Sequence, residues 1–245
     1  MEENASCQVL DWDSEFFGVR IGRITVNRLI EETLEQVLMW CKSNAIDCLY
    51  FLADADDART ARLAEEHDFR CVDIRVTLER PINDFPEVEG IVQSVVRSCT
   101  ASDVQALRAI ARVSHLDSRF YYDSIFPKSQ CDALYETWIQ KSCSGYADAV
   151  MVAELDGQPV GYVSCHLLDQ SKGQIGLFGI RADLQGEGLG RRLINESLRW
   201  FWMQDRKEVM VVTQGRNINA QRLYQKCDFL TRSVQLWYHR WFRTM

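Results

Sequence analysis

The fold is decided by Gly179-Ile180-Arg181-Ala182-Asp183-Leu184-Gln185-Gly186-Glu187-Gly188-Leu189-Gly190-Arg191-Arg192, a glycine-rich turn. The apolar run Ile175–Ile180 predicts a strand before it, and apolar residues at helical spacing predict a helix over Gly190–Met203 after it. A turn from a strand into a helix exposes backbone N–H groups at the positive helix end, which suits a phosphate or pyrophosphate. Glycines are needed because a Cβ would block the close approach of the phosphates. Arg191 and Arg192 can add positive charge.

The spacing of the glycines decides which kind of phosphate-binding motif this stretch resembles. A P-loop requires a lysine, which this stretch lacks, and a dinucleotide fingerprint starting at Gly186 requires glycine where the chain has Arg191. The spacing that fits is Gln-x-x-Gly-x-Gly, from Gln185 through Gly188 to Gly190. On these residues the chain resembles the GNAT superfamily of N-acetyltransferases, whose pyrophosphate loop reads (Gln or Arg)-x-x-Gly-x-(Gly or Ala). A glycine-rich turn without a ligand is the alternative.

A second segment supports the resemblance. Asn217–Phe229 is similar to the GNAT pattern N-x-x-A-x-x-x-Y-x-x-x-G-F, with Asp228 in place of the usual glycine. The resemblance implies that Asn217 binds the pantetheine or phosphate arm of the co-substrate acetyl-CoA, and that Tyr224 is a general acid near the CoA sulfur. A tyrosine that only packs against the sheet is the alternative. The cofactor contacts that the resemblance implies are Phe178, Gly179, Ile180, Gln185, Gly186, Gly188, Gly190, Arg191 and Asn217.

The chemistry of acetyl transfer suits these parts. A neutral amine attacks the thioester, and the resulting oxyanion needs a preorganised donor, which the resemblance assigns to a backbone N–H near 178–180. Tyr224 can protonate the departing thiolate because an ordinary tyrosine pKa of about 10 keeps it protonated at neutral pH. For the general base, Glu15, Asp117 and a water chain all stay open. Cys227, close to Tyr224 in sequence, is interpreted as a buried small residue and not as a nucleophile, since direct attack by the amine needs no acyl-enzyme.

The segment Arg80–Gly90 is the clearest linker, because two prolines, a glycine and several acids interrupt any period. We therefore divide the chain into 1–85 and 86–245. The second part reads as alternating strands and helices, with a capping box from Ser102 to Gln105 opening a helix to about Val113. The predicted elements are strands over 91–99, 149–154, 160–168, 175–180, 209–213 and 234–241, and helices from about 129, over 190–203 and over 220–226.

The first part contains a weak copy of the second at a shift of 160 residues. At this shift Leu63 and Phe69 align with Leu223 and Phe229. A strand of alternating apolar residues in the first part also aligns with such a strand in the second part. The pattern predicts a strand–helix–strand unit present twice, of which the first copy lacks the glycine-rich turn. The predicted fold is α/β: a complete GNAT domain, whose mixed, mostly antiparallel sheet is flanked by helices, and a smaller truncated GNAT-like N-terminal domain.

Three further segments concern the acceptor. They are Trp12–Val19, Ser118–Phe120 and Tyr135–Ile139, and they resemble W-(E or D)-x-x-F-F-G-V, S-R-F and Y-x-x-W-I of the dTDP-fucosamine acetyltransferases. The resemblance implies acetylation of the 4-amino group of a dTDP-linked 4-amino-4,6-dideoxyhexose for surface glycans such as enterobacterial common antigen, and a homodimer. The predicted substrate contacts are Phe17, Arg119 and Tyr121, since arginine can fork onto phosphate and tyrosine can stack. Core and surface roles for the same residues are the alternatives.

Composition narrows the function classes. The chain has 245 residues and a net charge of −7, which argues against a general nucleic-acid binder. Nine cysteines without a C-x-x-C pair, and no stretch resembling a signal peptide or membrane helix, predict a cytoplasmic protein with reduced thiols and no metal site. A nucleotide-sugar acetyltransferase competes with two alternatives: the same chemistry on a protein, polyamine or antibiotic amine, and a non-catalytic CoA-binding module.

Overall fold

The computed structural model describes residues 6–86 and 95–242, which form ten strands and eight α-helices. The strands are β1 (Cys7–Val9), β2 (Ile21–Ile24), β3 (Cys48–Asp54), β4 (Arg70–Pro81), β5 (Val95–Ser98), β6 (Ala149–Leu155), β7 (Gln158–Leu167), β8 (Lys172–Ile180), β9 (Glu208–Gln214) and β10 (Leu230–Trp241). The helices are α1 (Asp11–Phe17), α2 (Glu31–Ser43), α3 (Ala58–Glu66), α4 (Val104–Ser114), α5 (Arg119–Tyr122), α6 (Lys128–Lys141), α7 (Leu189–Met203) and α8 (Ile218–Lys226). Across these residues no helix is long and apolar enough to cross a membrane.

The ten strands form one sheet in the order β1-β2-β3-β10-β4-β9-β8-β7-β6-β5. Two neighbouring pairs, β2 with β3 and β8 with β9, are parallel, and the other pairs are antiparallel. Each parallel pair is joined by a crossover helix, α2 or α7, as parallel strands require. The predicted mixed, mostly antiparallel sheet flanked by helices is confirmed.

Helices cover both faces of the sheet. Consecutive residues of a strand point to opposite faces. Accordingly, Leu49 and Phe51 pack in a core with α2 and α3, whereas Tyr50 packs in a core with α1, α4, α5 and α6. The core beneath α7 and α8 continues the first of these faces across the second half of the chain. The face covered by α1 and α4–α6 is called the α5 face below.

The two halves exchange their last strands. The C-terminal strand β10 lies between β3 and β4 of the first half, and β4 lies between β10 and β9. The two units therefore share one sheet, and the division at residues 85 and 86 stays a prediction. Residues 87–94 lie outside the described residues. They include the end of the predicted linker, 87–90, and the start of the predicted strand over 91–99. The aromatic end of β10 lies inside the sheet, which favours a core strand over an interface strand.

The 160-residue shift found in the sequence holds in the structure. The bounds of β3, α3 and β4 each differ by 160 from those of β9, α8 and β10. Asp68 and Asp228, which follow the two helices, share left-handed φ values of 62° and 60°. The backbone N–H groups of Phe69 and Phe229 donate to the carbonyls of Ala64 and Tyr224 in the same way. The strand–helix–strand unit is therefore present twice.

One helix start differs from its prediction. The capping box before α4 is formed by Thr100 and Asp103, not by Ser102 and Gln105, because a 3₁₀ turn over Ala101–Asp103 precedes the helix. Near the N-terminus, the segment with the adjacent phenylalanines Phe16 and Phe17 forms the helix α1. The α1 helix ends at Gly18, whose φ of 68° favours glycine.

Candidate active site

A gap opens between β8 and β9. The two strands pair from Lys172 with Glu208 to Ile175 with Val211, and beyond that point they diverge. At the divergence β8 carries a bulge, since between Ile175 and Phe178 two residues of β8 oppose the single residue Ser164 of β7. The Leu177 N–H inside the bulge donates to the Ser164 hydroxyl over 2.7 Å. The bulge is thus fixed at the mouth of the gap.

The backbone of β8 beyond the bulge directs N–H groups into this gap. The Arg181 N–H donates to the Val160 carbonyl over 2.9 Å. Hydrogen-bonded and non-hydrogen-bonded pairs alternate along antiparallel strands, so the N–H groups of Phe178 and Ile180 point away from β7. They face the side from which β9 has diverged. A carbonyl oxygen held there meets preorganised donors, as an oxyanion requires.

The glycine-rich turn leads from β8 to the start of α7. Gly186 and Gly188 have φ values of 91° and 85°, and a Cβ at Gly186 would meet nothing within 4 Å. Glycine is therefore needed at both for its backbone conformation. Gly190 has another reason: its Cβ would lie 3.1 Å from Leu223, so it allows α7 to pack closely on α8. The first N–H groups of α7 have no intrahelical partner and suit an anion.

The other predicted loop residues stand around this turn. The Gln185 side-chain nitrogen donates to the Ile180 carbonyl over 3.4 Å and holds the turn against β8. Gly179 lies directly over the Tyr162 ring, which a Cβ there would approach within 2.8 Å. Arg191 lies exposed in the first turn of α7. Groups of three or more acidic, histidine or cysteine residues that could hold a metal ion are absent from the described part of the chain.

Asn217 and Tyr224 lie on the other side of the gap. The Asn217 side-chain oxygen accepts the Ala220 N–H over 3.0 Å, so it caps α8 and leaves its NH₂ group as a donor. Tyr224 is buried, with its ring centre 6.4 Å from that of Phe178. Burial, with a smaller contribution from Cys227, raises the pKa of Tyr224 well above its usual value. The phenol therefore stays protonated at neutral pH, as a general acid requires.

The three predicted acceptor contacts have different surroundings. Phe17 is buried between Phe120 and Phe126, with ring centres at 5.4 and 4.5 Å, and belongs to the aromatic core. The Tyr121 hydroxyl donates to Asp132 over 2.7 Å, so this side chain is held against α6. Arg119 lies on the α5 face of the sheet. The structure thus brings Arg119, rather than Phe17, to a position where a ligand could be reached.

The candidate bases are also separated by the structure. Glu15 is exposed on α1. Asp117 precedes α5, and its carbonyl accepts from Arg216, which follows β9. The Arg216 side chain also donates to the Val72 carbonyl and lies 4.0 Å from the Tyr122 ring centre. Asp117 therefore lies near the end of β9 at the gap.

The sequence reasoning missed a histidine–tyrosine pair behind β8. A ring nitrogen of His115 lies 2.9 Å from the hydroxyl of the fully buried Tyr162. Burial lowers the pKa of His115 to about 4, so the ring is neutral at pH 7. Tyr162 in turn packs against Gly179. The sequence signal for this contact is a tyrosine within an apolar strand, next to a strand that contains glycines and so leaves room for the ring.

Comparison with known proteins identifies the family. The family described as "Acetyltransferase (GNAT) family" matches residues 110–229, which include the glycine-rich turn, the gap strands and Tyr224. Residues 110–229 form a GNAT acetyltransferase domain. The chain is an acyl-CoA-dependent N-acetyltransferase.

Relatives extend the match over the whole chain. The chain is 26% identical over 244 residues to a dTDP-fucosamine acetyltransferase of Escherichia coli O6:H1, covering 98% of this chain and 100% of that one. It is 24% identical over 139 residues to the spore coat polysaccharide biosynthesis protein SpsD of Bacillus subtilis, covering 57% of this chain and 48% of SpsD. A solved GCN5-related N-acetyltransferase from Sphaerobacter thermophilus superposes with a TM-score of 0.73 at 15% identity, over 97% of this chain and 76% of that one. The GNAT fold is confirmed.

Proposed function

We propose that this GNAT enzyme transfers the acetyl group of acetyl-CoA to the 4-amino group of a dTDP-linked 4-amino-4,6-dideoxyhexose. The acetyl-transfer step rests on one observation: Tyr224 stands across the gap from the β8 backbone whose N–H groups face it. The acceptor rests on the similarity to the dTDP-fucosamine acetyltransferase along 98% of the chain. SpsD, which is also similar, is a polysaccharide biosynthesis protein.

The proposed mechanism assigns each part of the gap one task. The pyrophosphate of CoA lies on the α7 N-terminus, held by the turn that contains Gly186 and Gly188, while the Asn217 amide contacts its arm. The thioester carbonyl accepts hydrogen bonds from the Phe178 and Ile180 N–H groups. When the amine attacks, these donors stabilise the oxyanion. Tyr224 then protonates the leaving thiolate, because its raised pKa keeps the proton available.

The setting of the reaction is proposed on other grounds. All nine cysteines are free thiols, which is typical of a reducing compartment, and we place the enzyme in the cytoplasm, where it supplies surface glycan synthesis. A homodimer is proposed on the family resemblance and is tested by light scattering. A protein, polyamine or other small amine stays the alternative acceptor.

We also propose that the first half, residues 1–85, is a truncated GNAT-like domain beside a complete domain over 86–245. The support is the repeated unit, in which β3, α3 and β4 match β9, α8 and β10 at a shift of 160 residues. The first half retains the framework of the unit and helps to form the acceptor side of the sheet.

Release of free thiol from acetyl-CoA tests the proposal. The acceptors are dTDP-4-amino-4,6-dideoxygalactose, its glucose epimer, a lysine-containing peptide and spermidine. Rapid release with one nucleotide sugar alone is expected. Release only with the peptide or spermidine would move the enzyme to the alternative acceptor class. Tight acetyl-CoA binding without release for every acceptor would favour a CoA-binding module.

A further inference from the structure

Three arginines converge on one tryptophan on the α5 face of the sheet. The Arg119 guanidinium carbon, at the start of α5, lies 4.0 Å from the Trp237 ring centre. That of Arg23, on β2, lies 5.5 Å from the same ring centre. Arg75, on β4, pairs with Gln235, two residues before Trp237, and side chains two residues apart share a face. Arg23 and Arg119 therefore lie over the indole of a central strand, and Arg75 lies on the same face of the adjacent strand.

Within the part of the chain that the structure describes, these three cations have no ion pair with a carboxylate. Across residues 6–86 and 95–242, no carboxylate lies within 4 Å of the basic groups of Arg23, Arg75 or Arg119, although all three side chains are half-buried. By contrast, Arg97 pairs with two carboxylates at 2.7 Å. The Nε atoms of Arg23 and Arg119 are buried and have no hydrogen-bond partner.

The electrostatics of the cluster agree with this geometry. Burial and then the nearby charges of Arg23 and Arg119 lower the pKa of Arg75. Burial and Arg119 likewise lower the pKa of Arg23, and Asp13 only partly offsets them. A second carboxyl group, Asp73, has its pKa raised to about 6, chiefly by burial, although Arg216 opposes this shift. The cluster therefore keeps an excess of positive charge.

Unpaired cations away from water are costly, so their presence together needs an anion that completes the site. Guanidinium groups bind phosphate oxygens through two parallel hydrogen bonds, and several of them around one point suit a diphosphate. The indole of Trp237 closes the floor of the site. The chemistry therefore favours a phosphate-bearing ligand over a carboxylate or a neutral sugar.

The cluster lies at a suitable distance from the reaction centre. Arg75 pairs with Gln214 at the end of β9, beside the gap that receives the thioester. Trp237 lies on β10, two strands from β9 in the sheet, which is about 10 Å at about 4.8 Å per strand. An amine at the gap and a diphosphate at the cluster are thus separated by a distance that one sugar ring can bridge.

We propose that Arg23, Arg75 and Arg119 bind the diphosphate of the acceptor nucleotide sugar. The inference rests on the proposed function and deepens it, because it gives the first half a defined task. Two of the three arginines come from β2 and β4, and the unit that lacks the CoA site thereby supplies the acceptor site.

Calorimetric titration with dTDP tests the site without turnover. The titrations contain saturating acetyl-CoA, so that the α7 anion site is occupied, and thymidine serves as the ligand without phosphates. Arg75→Gln and Arg23→Gln should each weaken dTDP binding about tenfold or more, the loss expected for one charge-assisted hydrogen bond. Neither should change thymidine or acetyl-CoA affinity. The control is Arg59→Gln, an exposed arginine on α3, which should bind dTDP like the unmodified protein.

Two results would overturn the inference: dTDP binding no tighter than thymidine in the unmodified protein, or equal dTDP affinity in the folded glutamine variants and the Arg59→Gln control. If a glutamine variant fails to fold, Arg75→Lys serves instead, because lysine keeps the charge but cannot form two parallel hydrogen bonds with phosphate. Its dTDP affinity should lie below that of the unmodified protein. Arginine-dependent dTDP binding combined with no acetyl transfer to any dTDP-linked amino sugar would refute the proposed function alone.

Discussion

The two halves of this GNAT enzyme use one backbone plan with different side chains. In the second half Tyr224 stands on α8, and the equivalent position 160 residues earlier is Ala64 on α3. Both helices keep a side-chain cap, since Asp57 accepts the N–H groups of Arg59 and Thr60 as Asn217 accepts that of Ala220. The framework is retained where packing requires it, while the proposed acid is absent from the first copy.

The first turns of the two equivalent helices, α2 and α7, also differ in their side chains. Glu31 and Glu32 open α2, whereas Arg191 and Arg192 occupy the equivalent first turn of α7. A carboxylate at a helix N-terminus satisfies the helix dipole itself and repels a phosphate. In the proposed CoA site the turn and the first helical residues hold the pyrophosphate, and the first copy lacks both features.

The largest expected effect concerns the exchanged strands. The fragment 86–245 lacks β4, which lies between its own β9 and β10, so we expect it to lose cooperative folding. Circular dichroism and thermal unfolding measure this. The matched control is the full chain with a protease site inserted between residues 86 and 95: after cleavage, the two pieces should stay associated and active. A cooperatively folded, isolated 86–245 fragment would contradict the expectation.

Next in size is the loss of the proposed acid. Tyr224→Phe should reduce kcat by about 10²- to 10⁴-fold, the usual contribution of a general acid, with unchanged acetyl-CoA affinity. Stopped-flow thiol release and calorimetry give the two quantities. Tyr238→Phe removes another buried hydroxyl, which donates to Glu65 of the first half, and should leave kcat unchanged. Equal effects of the two substitutions would show that Tyr224 acts only through packing.

A smaller effect is expected at the turn. Gly188→Ala forces a Cβ into a left-handed conformation at the start of α7 and should weaken acetyl-CoA binding about tenfold, because it moves N–H groups that hold the pyrophosphate. Gly18→Ala imposes the same kind of strain at the end of α1, where φ is 68°. Similar losses of stability with a loss of CoA affinity only in Gly188→Ala would separate the role of Gly188 in CoA binding from the strain common to both substitutions. Unchanged CoA affinity in both variants would place the pyrophosphate elsewhere.

The smallest expected effect is on the pH dependence of stability. The hydrogen bonds from His239 and Trp241 lower the pKa of Asp123, although burial opposes this. Burial lowers the pKa of His239 from 6.5 to about 4. Between pH 6.5 and 4 the unfolded chain therefore binds more protons at His239 than the folded protein does. The free energy of unfolding is highest above pH 6.5 and falls as the pH is lowered, by about 3 kcal/mol at most. Asp73, whose pKa is raised, acts in the opposite direction between pH 3.8 and 6.

Urea unfolding at several pH values measures this term. His239→Gln should flatten the fall in the free energy of unfolding between pH 6.5 and 4. Parallel curves for the variant and the unmodified protein would mean that protonation of this histidine does not limit the stability of the shared sheet.

Much of the second half was predictable because its signals are local. Strands β6–β9 and helices α7 and α8 begin and end within a few residues of their predicted bounds, since hydrophobic periodicity and turn residues decide them. The start of α4 was misplaced because Thr100 and Ser102 are equally good caps in sequence, and only the 3₁₀ turn selects Thr100. The His115–Tyr162 contact joins residues 47 apart, and no sequence spacing specifies it.

The sequence by itself determined the repeated unit, the glycine-rich turn and the positions of Asn217 and Tyr224, because backbone conformation at glycine and helix periodicity are properties of neighbouring residues. Only the tertiary structure decided that β4 and β10 exchange places, that Phe17 belongs to the core and that three distant arginines lie on one face of the sheet near Trp237. These features depend on strand order and on the face to which a side chain points. Strand order is chosen by the packing of the whole sheet, which brings together residues that are far apart in the chain.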